Sequence, residues 1–160
     1  QISTKPFTLS SVSVGVAGGV VEAFTNNMKE QNSRFGDDLS EKQSIQMRIA
    51  ESAAEYDAAR SILLKDIRES LEILRSEDDI PEEMHHRNRR DMAFCPRLAQ
   101  ASVDRLFYAA GAGGLKLNNN LQRQFRDVHA AGAQVFLNWD INATVYGRAR
   151  LGLEPGGPVI

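Results

Sequence analysis

The chain has 160 residues, 42% of them hydrophobic, and 19 basic against 21 acidic side chains leave a net charge of −2. A domain of this size buries roughly two thirds of the surface its unfolded chain exposes, enough for one self-sufficient core. The near-neutral balance gives no electrostatic case for nucleic acid or for an anionic membrane surface.

The single cysteine, Cys95, cannot form an internal disulfide and fits a reducing compartment. No uninterrupted apolar run approaches the roughly 20 residues of a membrane helix, so a soluble, cytoplasmic protein is expected. The apolar stretch from Ser11 to Val21 continues as an amphipathic helix rather than ending as a secretory signal, and Gln1 stands where a start Met would. Together these read as a piece of a longer protein.

The first predicted helix covers about residues 9–33, where Val14, Gly18, Val21, Phe24 and Met28 recur every three or four positions. Gly15, Gly18 and Gly19 weaken a helix, so they point to close backbone packing. After the break Arg34-Phe35-Gly36-Asp37-Asp38 comes a second helix, about 41–75, opened by a Ser40–Gln43 capping box. Its apolar stripe is Ile45, Ile49, Ala53, Tyr56, Leu63, Ile67, Leu71 and Leu74. At about 1.5 Å per residue it is a rod of roughly 50 Å, which only a bundle of similar rods can bury. Ser76-Glu77-Asp78-Asp79 ends it, and Pro81 suits the first turn of a third helix, about 81–110, which Pro96 should kink. Gly111-Ala112-Gly113-Gly114 stops that helix, and a fourth runs from about 121 to 146 before an irregular, Gly- and Pro-rich tail. Short connections between long helices favour antiparallel neighbours, so the expected fold is an all-α, up-down-up-down four-helix bundle forming one domain over residues 1–160.

Few residues stand out as chemistry. The adjacent His85 and His86 point about 100° apart on a helix and make poor metal co-ligands, so no metal site is expected. The run His85 to Arg90 reads as a solvated or intersubunit face. Nothing beside Cys95 would stabilise a thiolate, and no Gly-x-Ser-x-Gly elbow is present. Trp139 reads as a core or interface anchor. Gly111, Gly113 and Gly114 fit first of all a helix C-cap; the alternative is a place where backbone approaches a ligand next to a helix N-terminus. Arg123 shares a helix face with Arg126 and Asp127, an ion-pair cluster worth only about 0.3–0.5 kcal/mol if exposed, which leaves room for a buried or intersubunit role.

The order of these pieces resembles the C-terminal helical domain of the acyl-CoA dehydrogenase superfamily: a basic-Phe-Gly turn, Arg34-Phe35-Gly36; a Gln soon after the second helix opens, Gln43; the loop Gly113-Gly114; then Arg123-Gln124-Phe125-Arg126-Asp127. The resemblance covers about residues 6–150. It implies a flavin lying between domains, a homo-oligomer, usually a tetramer, and Arg34, Phe35, Gly113 and Gly114 as contacts to the partner's flavin. In the dehydrogenases the arginine usually lies three residues before the Phe, where this chain has Asn32.

A carboxylate divides the branches of that superfamily. Acyl-CoA dehydrogenases need a base to remove a proton α to a thioester carbonyl. Their glutamate commonly stands eight residues after the Asp, which here is Val135, and no acidic residue precedes Glu22 near the alternative location in the first helix. The flavin-dependent monooxygenase branch is more similar, through Arg126-Asp127-Val128-His129-Ala130 and Tyr146-Gly147-Arg148. That resemblance implies the oxygenase component of a two-component enzyme. It would take reduced FMN or FAD from a separate reductase, form a flavin hydroperoxide and oxygenate an aromatic or related small molecule. Many members carry a histidine seven residues after the Asp; Gln134 occupies that position, and His129 is the nearest histidine, so both are candidate site residues. The alternatives are an acyl-CoA dehydrogenase-like enzyme with its base elsewhere, and a non-catalytic helical oligomerisation module.

Overall fold

The computed structural model describes residues 5–30, 38–76 and 78–156. Five helices account for most of them: α1 (Lys5–Glu30), α2 (Gln43–Arg75), α3 (Glu82–Ala109), α4 (Asn120–Gly132) and α5 (Trp139–Arg150). Short 3-10 turns at Leu39–Glu41, Gly111–Leu115 and Val135–Leu137 connect them, and no strand element occurs among the described residues. The all-α expectation holds, but the fourth rod is two helices, broken between Gly132 and Trp139.

Cross-helix contacts fix the topology. Val14 of α1 packs in one cluster with Cys95 of α3, and Ser10 reaches Met92, so these two helices run parallel. Ser52 meets Ser102, Ala59 meets Cys95 and Ser70 meets Asn88, so α2 runs antiparallel to α3. His129 meets Asp104, Phe94 meets Trp139 and Arg89 meets Asn142, so α4 and α5 in turn both descend along α3. The bundle is up-down-up-down, with α3 in contact with every other helix.

Two joined clusters form the core. Ala17, Val20, Phe24 and Met28 of α1 pack with Ala99, Val103 and Leu106 of α3 and with Leu121 and Val128 of α4; Val14, Ala59, Leu63 and Cys95 form the second. Tyr56 touches both, and its ring lies across Gly18, where an added Cβ would fall 2.7 Å from a ring carbon. Here the missing side chain makes room for an aromatic ring from α2. Contrary to the absence of a spanning segment read from the sequence, the stretch Phe7–Glu30 is long and apolar enough to cross a bilayer by length and composition. Its buried face is occupied by the core just described.

The start of α2 departs from the predicted capping box. Asp38 caps the Leu39–Glu41 turn, accepting from the Ser40 backbone N–H at 2.8 Å, and the Ser40 hydroxyl together with that N–H holds its carboxyl below the usual range. The 3-10 turn shifts the first α-helical residue to Gln43 and puts Lys42, whose side chain does not cap the helix, at the N-cap position. Ser40 is therefore upstream of the cap.

The α2–α3 seam is built from small and polar residues. Ser52 Oγ donates to Ser102 O at 3.1 Å while Ser102 Oγ donates to Ser52 O at 2.9 Å, and Cys95 Sγ donates to Ala59 O at 3.4 Å. The predicted apolar stripe is only partly inside, since Leu71 and Leu74 remain exposed. Burial pushes the Cys95 thiol up to about 12, with help from the nearby Asp91 and Asp66 charges, so it is a packing group and no nucleophile.

The basic run 85–90 points inward instead of forming a solvated face. Arg87 pairs with Asp66 at 3.2 Å and with Glu69; Arg89 Nε donates to Asn142 Oδ1 at 3.1 Å; Arg90 grips Asp91 at 2.7 and 2.9 Å and lies over the Tyr146 ring at 4.4 Å. Burial, then the Asp91 charge, raise the Asp66 carboxyl to about 7 against the pull of Arg87 and Lys65. Asp66 Oδ2 is buried without a hydrogen-bond partner, which suits a carboxyl that carries a proton rather than a charge.

Pro96 lies inside α3, which continues through it from Glu82 to Ala109. Proline has no N–H for the carbonyl four residues back, Met92 O, and the buried Ser10 Oγ donates to that oxygen at 2.5 Å.

Replacing Ser10 by Ala leaves the Met92 carbonyl buried without a donor. A loss of about 1–3 kcal/mol in unfolding free energy is expected from denaturant titration. The Asp66 carboxyl makes a separate prediction. Its folded-state pKa lies above its unfolded value of 3.8, so the folded state binds the extra proton and stability declines as pH rises from about 4 to about 7. Asp66→Asn removes the titration and should flatten that decline, giving a higher Tm than the parent at pH 8 but not at pH 4. Parallel Tm profiles for the two proteins would contradict a raised pKa at this site.

Candidate functional site

The first candidate region is the break that splits the fourth rod. Ala133 caps α4, and Gln134 turns the chain out of the helix with a ψ of 136°. Asn138 restarts it, its Oδ1 accepting from Ile141 N at 3.0 Å. The buried Asn142 locks the connection: its Nδ2 donates to Phe136 O at 3.0 Å and to Asn138 O at 2.8 Å, while its Oδ1 takes the bond from Arg89. Leu137 is buried beneath. At the end of α4 the Gln100 amide lies so close to Gly132 that an added Cβ would sit 2.3 Å from its Nε2. The break leaves a cavity of about 290 Å³ walled by Pro96, Arg97 and Gln100 of α3 and by Gln134, Trp139 and Asp140.

Gln134 thus belongs to an open cavity, and reckoning its direction along a continuous helix does not apply. Val135, at the position of the dehydrogenase carboxylate, is 57% exposed. Trp139 is a wall of the cavity, packed against Phe94 at 5.5 Å, with the Arg97 guanidinium 5.2 Å from its ring centre.

The second region lies at the opposite end of α4, whose 13 residues span about 20 Å. Here Gly111-Ala112-Gly113-Gly114 forms the 3-10 turn after α3. The three glycines have different reasons. Gly111 has φ 57°, a left-handed conformation that disfavours other residues. Gly114 is buried, and a Cβ there would come within 3.3 Å of Ala110 Cβ, so its own helix demands a small residue. Gly113 faces open space and lines a cavity of about 600 Å³.

Asn119 ties this loop to α4: Oδ1 accepts from Leu121 N at 3.0 Å and Nδ2 donates to Gly113 O at 3.0 Å. The cavity floor is Val20, Phe24, Met28 and Leu121, and its rim carries Asn27, Lys116, Asn118, Asn120 and Gln124, with no acidic residue among the described lining. Arg34 and Phe35 fall within 31–37, outside the described residues.

The structure brings the sequence candidates to separate places. Gln134 and Gly113 line different cavities. His129 lines neither; its Nε2 lies 2.7 Å from Asp104 Oδ1 across α3 and α4, and its ring packs on Phe125 at 4.7 Å. Arg123 and Asp127 form an exposed pair at 4.0 Å, and Arg126 Nε reaches only Gln122 O at 3.4 Å. Such a pair contributes little. The sequence reading missed Arg97 and Gln100, because a three-residue spacing after Pro96 does not reveal which face of α3 meets the break. It also passed over the run Asn118-Asn119-Asn120, a visible cluster of amides next to a helix start.

Residues 7–139 match the family described as acyl-CoA dehydrogenase, C-terminal domain. The oxygenase component of an FADH2-dependent resorcinol hydroxylase from Rhizobium sp. (strain MTP-10005) is 34% identical over 161 residues, covering 95% of this chain and 39% of the relative. The oxygenase component of p-hydroxyphenylacetate 3-hydroxylase from Acinetobacter baumannii is also 34% identical, over 156 residues, covering 91% of this chain and 35% of the relative. The crystal structure of 3-HSA hydroxylase from Rhodococcus sp. RHA1 superposes with a TM-score of 0.87 at 28% identity, over 98% of this chain and 40% of that one. The chain therefore spans less than half the length of these relatives. With the bundle topology, the glycine turn and the Arg-x-x-Arg-Asp helix all in place across the matched residues, the chain belongs to the acyl-CoA dehydrogenase C-terminal domain family.

Proposed function

We propose that this chain is the helical domain of the oxygenase component of a two-component, flavin-dependent monooxygenase that hydroxylates a phenolic or related aromatic small molecule. The observation that carries the reading is Val135. At the position where the dehydrogenase branch needs a carboxylate stands an exposed apolar residue, beside a cavity that the helix break opens. Removing a proton α to a thioester requires a base that Val135 does not supply. The similarity to hydroxylase oxygenase components points the same way.

The bound cofactor in this reading is reduced FMN or FAD, delivered by a separate reductase, and it supplies the reducing equivalents for activating O2. The cavity at the glycine turn fits part of such a group. It has an apolar floor, amide donors and acceptors on its rim, the basic Lys116 and no acid among its described lining, which suits an anionic nucleotide. Gly113, and with it Arg34 and Phe35, would meet the flavin of a partner subunit in a cytoplasmic homotetramer. The cavity beside Gln134 would face the reacting end, where the amide of Gln134 orients a hydroxyl or carbonyl and cannot take up a proton near neutral pH. The chain's task is to hold, orient and keep dry.

The full-length protein, supplied with reduced FMN or FAD and ¹⁸O2, should place one ¹⁸O atom in a hydroxylated phenol, read by mass spectrometry with 4-hydroxyphenylacetate and resorcinol as probes. Absence of ¹⁸O product, together with bleaching of oxidised flavin by an acyl-CoA, would overturn this reading in favour of a dehydrogenase.

A further inference from the structure

α3 carries five arginines, and four of them are engaged. Arg87 pairs with Asp66 and Glu69, Arg89 with Asn142, Arg90 with Asp91, and Arg105 with Glu51 at 2.9 Å and Glu55 at 2.8 Å. Arg97 alone makes neither an ion pair nor a side-chain hydrogen bond with a described residue; its exposed side chain is held over the Trp139 indole, and it lines the cavity at the helix break. Asp140 stands on the same rim, in the first turn of α5, without pairing to it.

We propose that Arg97 binds an anionic oxygen, a carboxylate or phenolate, carried by the aromatic substrate. The inference rests on the oxygenase reading and adds the substrate's charge to it. A guanidinium held near an indole face by cation–π attraction spends none of its N–H donors on that contact, so two of them remain to receive a carboxylate. The flat wall of Trp139, itself backed by Phe94, offers an aromatic ring a surface, and Pro96, preceding Arg97, supplies an apolar one. Gln100 and Gln134 add amides that can hydrogen-bond a second substituent. An unpaired cation, two amides and a flat apolar wall, with Asp140 the one acid among the described lining, suit a phenol whose acidic substituent is directed at Arg97 better than a neutral hydrocarbon. Trp139 acts here as a positioning residue, because it holds the guanidinium.

The test uses the full-length oxygenase and two probes of the same shape, 4-hydroxyphenylacetate and the uncharged 4-hydroxyphenylacetamide, titrated by calorimetry into the parent protein, Arg97→Met and Arg97→Lys. The parent should prefer the acid. Arg97→Met should lower the ratio of acid to amide affinity by about tenfold to a hundredfold, and Arg97→Lys should restore part of it. An unchanged ratio, or a parent that does not prefer the acid, overturns the proposal. A loss of FMN affinity in Arg97→Met with the acid-to-amide ratio intact assigns the guanidinium to the cofactor phosphate and overturns it equally. The oxygenase reading is judged separately, by ¹⁸O incorporation in the parent, so an acid-selective protein that fails to hydroxylate would leave Arg97's role standing and remove that reading.

Discussion

α3 is surrounded by every other helix, and the polar groups along its middle are answered by its neighbours. Proline at position 96 strips the Met92 carbonyl of its usual donor in the middle of the bundle, and Ser10 of α1 supplies the replacement. On the opposite flank the reciprocal Ser52–Ser102 bonds and the Cys95–Ala59 contact satisfy side chains that would otherwise be buried without partners. These bonds need short side chains, and short side chains let the backbones approach. Close approach and polar satisfaction are therefore a single constraint in this fold.

The same helix sets both candidate cavities. One end of α3 runs into the glycine turn, which Asn119 fastens to the start of α4. Further along, its Arg89 holds Asn142, and Asn142 holds the break between α4 and α5. Gln134, Trp139 and Arg97 are thereby presented to one space by a rigid hydrogen-bonded corner. A catalytic or binding surface placed on such a corner depends less on a mobile loop and more on the bundle's own packing.

Charge inside the bundle follows a related logic. Asp66 and Asp91 would repel if both were ionised, and the raised Asp66 pKa, with Arg87 and Arg90 alongside, relieves that repulsion. Arg90 also covers Tyr146, so the network reaches from α2 through α3 to α5. A run of basic residues that looks solvated in one dimension is, in three, the clasp between three helices.

The sequence by itself determined the number and direction of the rods, because apolar residues at intervals of three and four and the Gly, Pro and Asp breaks act locally and need no partner to be read. It also determined the family, through motifs spread over nearly the whole chain. What only the tertiary structure decided were the relations between distant positions. The period of the fourth segment continues through Ala133 to Asn138, yet Asn142 and Arg89 stabilise a break there, and this moves Gln134 off the helix. The cap of α2 moved because Asp38 formed a 3-10 turn that competes with the Ser40 box. The α2 seam runs through Ser52, Ala59 and Asp66 instead of the full apolar stripe, since proximity to α3 selects small residues. Gly113 and Gly114 look alike in sequence; one faces a cavity and the other its own helix. Arg97 differs from the other arginines of α3 only in what lies opposite it, and a position's counterpart across a helix interface is set by packing that no local pattern encodes.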